Sequence, residues 1–296
     1  MHLSTIALAG AAMMAATTAE ARTLDLATPA DALTISRKMA CSVRDNAPVV
    51  FHWTGRAYSR VPGEADRHIF DVEGMNIRQC VTVNDPKQGA GYRLVSRELM
   101  FYLDPKTGAV LDRWTNPWTG EAVPVLAVAN DPVNQRPVFE RDLKGEPFRI
   151  ANARVSGEWF MMPLEVPLFY PDPLGGAYQD YVGGKYHAME IFDFAARRST
   201  VLDSRTDTAD AVVGWVRIAD WLPWMKMGGR AGTMVINATG NMLPGFDSLP
   251  DAMKQRIRAD FPAYMTAPPG DDSRPNETSW TVFKKQVDAE RAAAKR

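Results

Sequence analysis

The chain of 296 residues is 46% hydrophobic and 23% charged, the balance of a globular protein, so neither a disordered segment nor a fibrous repeat describes it. Its 34 basic and 35 acidic side chains nearly cancel, and no run of Lys or Arg offers a cationic face, which argues against a nucleic-acid partner. The length suits one large β-rich domain or two small ones.

The first 21 residues, MHLSTIALAGAAMMAATTAEA, are apolar from Leu3 to about Ala16 and end on Ala19-Glu20-Ala21. The run is too short and too rich in alanine to span a bilayer, and small-x-small is the pattern that signal peptidase cuts. A secretory leader cleaved near Ala21 is therefore expected, giving a periplasmic or secreted product. One feature departs from the usual pattern: His2 is the only basic residue near the start. No later stretch approaches the length of a membrane span. In an oxidising compartment Cys41 and Cys80 can form a disulfide; two separate buried thiols are the alternative, and the spacing does not choose. Two cysteines without CxxC spacing and four scattered histidines point to no metal site, and no cofactor is expected.

TPADALTISRKMAC opens the mature chain as a short amphipathic helix: Thr28 can cap it, Pro29 fits the first turn, and Leu33, Ile35 and Met39 are apolar. From Val49 the pattern changes to strands. VVFHWTGRAYSRV, RHIFDVEGMNIRQCVTV, YRLVSRELMFYL, AVLDRW and AVPVLAV are rich in β-branched and aromatic residues. They are separated by NDPKQGAG, DPKTG, NPWTG and NDPVN, where Pro presets φ and Gly supplies a positive φ, so short antiparallel connections follow. RIANARVSGEWFMM, KYHAMEIFDF, GWVRIADW and GTMVINATG continue the strand pattern. Helices are expected from Ser248 through Tyr264 and from Ser279 to the end, with the polar tail VDAERAAAKR on the surface or frayed. APPGDDSRPNE between them reads as a loop or linker. The division is thus one β-rich domain over 22–270 and a C-terminal linker and helix over 271–296. So many antiparallel strands must hide their edges, which favours an antiparallel β-barrel or barrel-like sandwich of lipocalin or calycin type with flanking helices.

GMNIRQC, LVSRELMFYLDPKTGAVLDRWTNPWTGE, VANDPVN and DWLPWMKMGGRAGTMV follow one another along the chain. Together they resemble the bacterial family catalogued as domain of unknown function 1838, over most of the chain from the first helix to the helix after Ser248. The resemblance implies an exported or lipidated protein of about this size, with a lipocalin-like or other β-barrel fold as the expectation. It implies no activity and carries over no catalytic residues.

Strand alternation sorts the chemistry. In KYHAMEIFDF, Tyr186, Ala188, Glu190, Phe192 and Phe194 share one face and His187 the other. A carboxylate among aromatic rings has its pKa raised toward acid/base use, so Tyr186, Glu190 and His187 are the catalytic candidates. Against this stands a structural ion pair for Glu190 and a satisfied structural role for His187. In YRLVSRELMFY, Glu98 and Tyr102 share one face and Arg97 the other. A dry core tolerates neither charge, so one of them is expected to line a polar-dotted cavity or end in an ion pair, with Arg78 as its partner or as a clamp for an anionic ligand; a solvated outer face is the alternative. Around DWLPWMKMGGRAGTMV, the residues Trp215, Trp221, Trp224 and Met225 could plug one end of a barrel, wall an apolar cavity, or form an exposed docking patch. Trp224, followed by the adaptable Met225 and Met227, is the favoured ligand contact. No GxSxG, P-loop, HExxH or GxGxxG motif is present.

These readings favour an extracytoplasmic β-barrel that binds a small, largely apolar or aromatic molecule. The alternatives are a cofactor-independent isomerase, dehydratase or lyase acting on such a molecule, and an envelope interaction protein docking through its tryptophans.

Overall fold

The computed structural model of the protein describes residues 22–171, 174, 178, 185–227 and 229–295. The expected leader at 1–21, the glycine pairs at 175–176 and 183–184, and Gly228 lie outside them.

Pro29 starts α1 (Pro29–Ala40), and Thr28 stands at its N-cap in extended backbone, yet the Thr28 side chain makes no capping bond. Asp31 holds the first turn instead: its carboxylate accepts the Asp25 N–H at 2.9 Å and the Arg22 guanidinium at 2.5 and 2.6 Å. The apolar stripe Leu33, Ile35 and Met39 is buried, and so are Arg37 and Lys38. Lys38 can be buried because its ammonium donates to the carbonyls of Thr200, Val201 and Asp203 and to the Thr206 hydroxyl at 2.5 to 3.0 Å. Those acceptors belong to and follow α2 (Arg198–Val201). Just past α1, Cys41 is bridged to Cys80, with 6.1 Å between their Cα atoms.

The strands are β1 (Val49–Arg60), β2 (Arg67–Asp85), β3 (Gly89–Leu103), β4 (Arg113–Thr115), β5 (Ala122–Pro124), β6 (Val128–Asn130), β7 (Val138–Phe139), β8 (Arg154–Ser156), β9 (Trp159–Pro171), β10 (Lys185–Arg197), β11 (Val212–Ala219) and β12 (Thr233–Leu243). Two further helices, α3 (Asp251–Asp260) and α4 (Ser279–Ala293), end the chain. The protein is mainly β, built on one large antiparallel sheet. Turn chemistry sets the meander. In DPKTG the Asp104 carboxylate accepts the N–H groups of Lys106 and Thr107 at 2.8 Å, and Gly108 takes φ +70°.

The sheet runs in the order β6-β3-β2-β1-β12-β11-β10-β9-β8, with β7 also on β3 and β4-β5 a separate ribbon. The meander β1–β3 meets the later strands through β12, which pairs β1 antiparallel from Val50↔Leu243 to Arg60↔Thr233. Among the described residues no closed barrel is found: the pairing ends at β6 and β8, each only three residues long. The sheet is nevertheless strongly curled, because side chains from β2 and β3 and from β9, β10 and β11 line the same cavity. A flat sheet could not bring those strands together.

The core splits accordingly. On the concave side one cluster gathers Leu33, Ile35, Met39, Phe51, Leu94, Phe160 and Val213 at the α1 end. A second gathers Phe70, Tyr102, Trp215, Trp224, Met225, Ile236 and, from α4, Trp280, Phe283 and Val287 at the opposite end. The opposite face of β1–β3, through Val50, Met75, Ile77, Leu99 and Phe101, packs against Met253 and Ile257 of α3. Helix α4 therefore docks an apolar stripe on the sheet's core while Lys284, Lys285 and its last residues from Asp288 face water.

Candidate functional site

Between the two concave clusters lies a cavity of about 440 Å³, within the range that suits a small organic ligand. Its apolar wall follows from alternation on four strands: Phe51 and Trp53 from β1, Leu164, Val166 and Leu168 from β9, Phe192 and Phe194 from β10, Val213 and Trp215 from β11. The rings form a continuous run. Phe51 meets Phe194 edge-on at 5.9 Å, Phe194 stacks with Phe192 at 6.0 Å, Phe192 with Trp215 at 6.3 Å, and Trp215 meets Trp53 at 6.1 Å. Trp53 lies flat over the backbone opposite it because that residue is Gly74; a Cβ there would sit 2.4 Å from the indole.

The same alternation carries charge inward. On β2, Asn76 and Arg78 face the cavity; on β3, Ser96 and Glu98; on β10, Tyr186 and Glu190; on β11, Arg217. Glu190 is directly opposite Arg217 in the ladder, and the two form an ion pair at 3.3 Å. The Arg217 guanidinium also donates to the Tyr186 hydroxyl, and the Tyr186 ring meets Trp280 edge-on at 4.9 Å. Glu98 accepts from the Asn130 side chain at 3.2 Å. Burial, and then the Glu190 carboxylate, push the Glu98 carboxyl up from its ordinary value, against the Asn130 hydrogen bond and the Arg217 and Arg78 charges. Burial likewise raises the Tyr186 hydroxyl, with Arg217 opposing. Burial lowers the Arg78 guanidinium to about 10, so it stays cationic at neutral pH. The indole N–H of Trp215 and the side-chain amide oxygen of Asn130 are buried without a hydrogen-bond partner, the kind of mismatch that folding alone does not favour.

The cavity is covered by two laced segments. The Ser96 hydroxyl donates to the Val133 carbonyl at 2.5 Å. Asn134 and Asn276 exchange hydrogen bonds at 2.7 and 2.8 Å, and the Glu277 N–H donates to Pro132 at 2.9 Å. This lacing holds residues 277–280, at the start of α4, against the cavity wall. The stretch that reads as a linker in the sequence is thus tied down, with Arg274 bound to both Asp131 and Asp272.

Of the residues singled out in the sequence, Arg78, Glu98, Tyr186, Glu190 and Trp215 are brought together on the cavity wall. The others are elsewhere. Arg97 points to the opposite face of β3, where it pairs with Asp131 at 2.9 Å and donates to the carbonyls of Ala263 and Thr266. His187 alternates outward, its ring edge-on to Phe169 at 5.5 Å. Tyr102 is buried between Phe70 and Trp224, at 5.3 and 5.4 Å. Trp224, the favoured ligand contact, is 4% exposed and packs on Phe70, Tyr102 and Trp114, while Met225 is 0% exposed. Both belong to the plug at the α4 end. Trp221 is half-buried at its margin, against Trp118 at 5.5 Å. Many wall residues escaped notice in the sequence, among them Phe51, Trp53, Asn76, Arg217 and Trp280. Arg217 was legible in principle, since in GWVRIADW it shares the face of Trp215.

Among the described residues no group of His, Cys, Asp and Glu could hold a metal ion, and no helix is long and apolar enough to cross a membrane. Fold and site together define a curled antiparallel β-sheet protein with an amphipathic cavity on its concave side. The family model described as "Protein of unknown function (DUF1838)" matches residues 46–287, and the chain belongs to that family. No curated protein matches the chain.

Proposed function

We propose that the protein is an extracytoplasmic binder of a small, largely apolar molecule, held in the cavity between the two plugs. The observation that carries this reading is the run of rings from Phe51 to Trp53 on one wall of a cavity of about 440 Å³. Apolar surface kept out of a packed core needs a guest to complete it. The Cys41–Cys80 bridge fits an exported protein, as does the apolar leader. We read the fold as barrel-like in the lipocalin sense, with the guest on the concave side of a sheet left open between β6 and β8.

A second reading has its own support. Glu98, with its carboxyl raised by burial and by Glu190, faces a cavity that also presents Tyr186 and the Glu190–Arg217 pair. A carboxyl pushed up by burial beside a second carboxyl and a tyrosine hydroxyl is a set of groups that general acid/base catalysis uses, so a cofactor-independent isomerase, dehydratase or lyase is the alternative. Docking through the tryptophan segment has less behind it, since Trp224 and Met225 are buried.

The test is native mass spectrometry of the full chain purified from its host, beside Val166→Trp, which fills the cavity from β9. A small molecule is expected on the unaltered protein and absent from the variant. An adduct held equally by both would place binding outside the cavity and overturn the proposal. Conversion of that molecule on incubation, abolished in Glu98→Gln, would select the enzyme.

A further inference from the structure

Six side chains of charged type line the cavity: Arg78, Glu98, Glu190, Arg217, Asp220 and Glu277. Five are engaged by the protein. Glu190 pairs with Arg217, Asp220 accepts the His187 N–H at 2.8 Å, Glu277 pairs with Lys285, and Glu98 accepts from Asn130. Arg78 is engaged only in part. Its Nε donates to the Asn76 side chain at 2.8 Å and its guanidinium lies 4.6 Å from the centre of the Phe51 ring. Among the described residues no carboxylate pairs with it, and its two terminal nitrogens have no hydrogen-bond acceptor. A ring face and one amide do not replace a counter-ion for a cation surrounded by protein.

We infer that the cavity takes an amphipathic anion, with a carboxylate or equivalent oxyanion on the terminal nitrogens of Arg78 and an apolar body against Phe192, Trp53 and Trp215. The two free ends of a guanidinium form a fork that matches two oxygens of such a head. A neutral guest would leave the terminal nitrogens of this half-buried cation without an acceptor. The four acids on the wall do not compete, since each already has its own donor. Glu98 acts on Arg78 through its charge but forms neither an ion pair nor a hydrogen bond with it, so the terminal nitrogens of Arg78 stay open to a ligand. The inference rests on the cavity-binding reading above and adds the chemical class of its ligand.

Two dyes of one skeleton test it: 8-anilinonaphthalene-1-sulfonate, which carries an oxyanion, and N-phenyl-1-naphthylamine, which lacks it. Fluorescence titration of the full chain should find the sulfonate bound about tenfold tighter or better, the ratio expected of one good ionic contact. Arg78→Met should erase that preference while leaving the naphthylamine affinity within about twofold, and Arg78→Lys should restore part of it. Equal affinity of the unaltered protein for both dyes overturns the inference, and this comparison needs no variant to fold. So does an equal loss of both dyes in Arg78→Met, the mark of an arginine that only supports structure. Val166→Trp checks the reading beneath: it should abolish both dyes, and unchanged binding of both would remove the cavity as the site, whatever Arg78 does.

Discussion

Glu98 shows how strand alternation can force a conflict on a single side chain. Its neighbours in sequence, Arg97 and Leu99, go to the opposite face of β3, so the carboxyl must point into the cavity. There the Asn130 side chain from β6 is its hydrogen-bond donor, and the charges of Glu190 from β10, Arg217 from β11 and Arg78 from β2 reach it without a direct bond. Burial dominates and favours the protonated form. A carboxyl raised in the fold above its ordinary 4.5 binds more protons folded than unfolded, so its contribution to stability falls as pH rises from 4.5 through the raised value. Gln imitates the protonated acid. Glu98→Gln is therefore expected to be more stable than the unaltered protein at pH 7 and no more stable well below pH 4.5, measured by urea unfolding at both. A loss at neutral pH would mean that the fold holds Glu98 as a carboxylate.

The turn of 3-10 helix at Pro223–Met225 is a plug built by several connections at once. Asn116, at the head of the NPWTG turn, accepts the Trp118 N–H at 2.9 Å and donates to the Met225 carbonyl at 3.1 Å, so the β4–β5 ribbon clamps the segment from outside. Lys226 takes φ +52° and pairs with Glu121 at 2.6 Å. With its ring inside an aromatic cluster rather than on the cavity wall, Trp224→Ala should cost about 3 to 5 kcal/mol and leave the ratio of sulfonate to naphthylamine binding unchanged in whatever fraction folds. Thermal unfolding with dye titration below the transition decides; a Trp224→Ala variant of native stability and altered dye ratio would return the ring to the ligand. The sequence left this open because a plug and a cavity wall use the same residues, and only the partners separate them. Strands β1 to β3 and β10 to β12 were legible, since alternation is a local signal and Asp-Pro and Asn-Pro turns punctuate the first meander; β9 was legible only as far as Met162, and its Pro-interrupted remainder to Pro171 was not. The β1–β12 pairing was not, because alternation assigns faces and says nothing of which strand lies alongside. Burial of Lys38 was hidden for a related reason: its acceptors are 162 to 168 residues away.

The cavity exists because the two ends of the curled sheet are stopped by different means, the tryptophan plug and α4 at one, α1 at the other. Helix α1 is twelve residues long, too short to hold itself together in water, and is fixed by its apolar stripe, by the Lys38 ammonium on carbonyls in and after α2, by Ser36 and Arg37 on Tyr92 and Thr82, and by the disulfide. Cys41 and Cys80 are 39 residues apart, and the loop they close contains α1's exit and all of β1. Removing such a constraint frees the unfolded chain and should cost about 4 kcal/mol by the loop-entropy argument, a large part of the stability of an ordinary domain. The Cys41→Ala, Cys80→Ala double variant should therefore be less stable by that free energy in urea unfolding. It should still bind the naphthylamine dye under native conditions, because the cavity wall is set by the β1–β3 and β9–β11 ladders rather than by α1. Thiol labelling supplies the control: unreduced, denatured protein should show no free cysteine, and two after reduction. Two labelled thiols before reduction would remove the basis of the stability estimate. Lost dye binding in a folded double variant would instead show that α1 shapes the cavity and does more than seal its end.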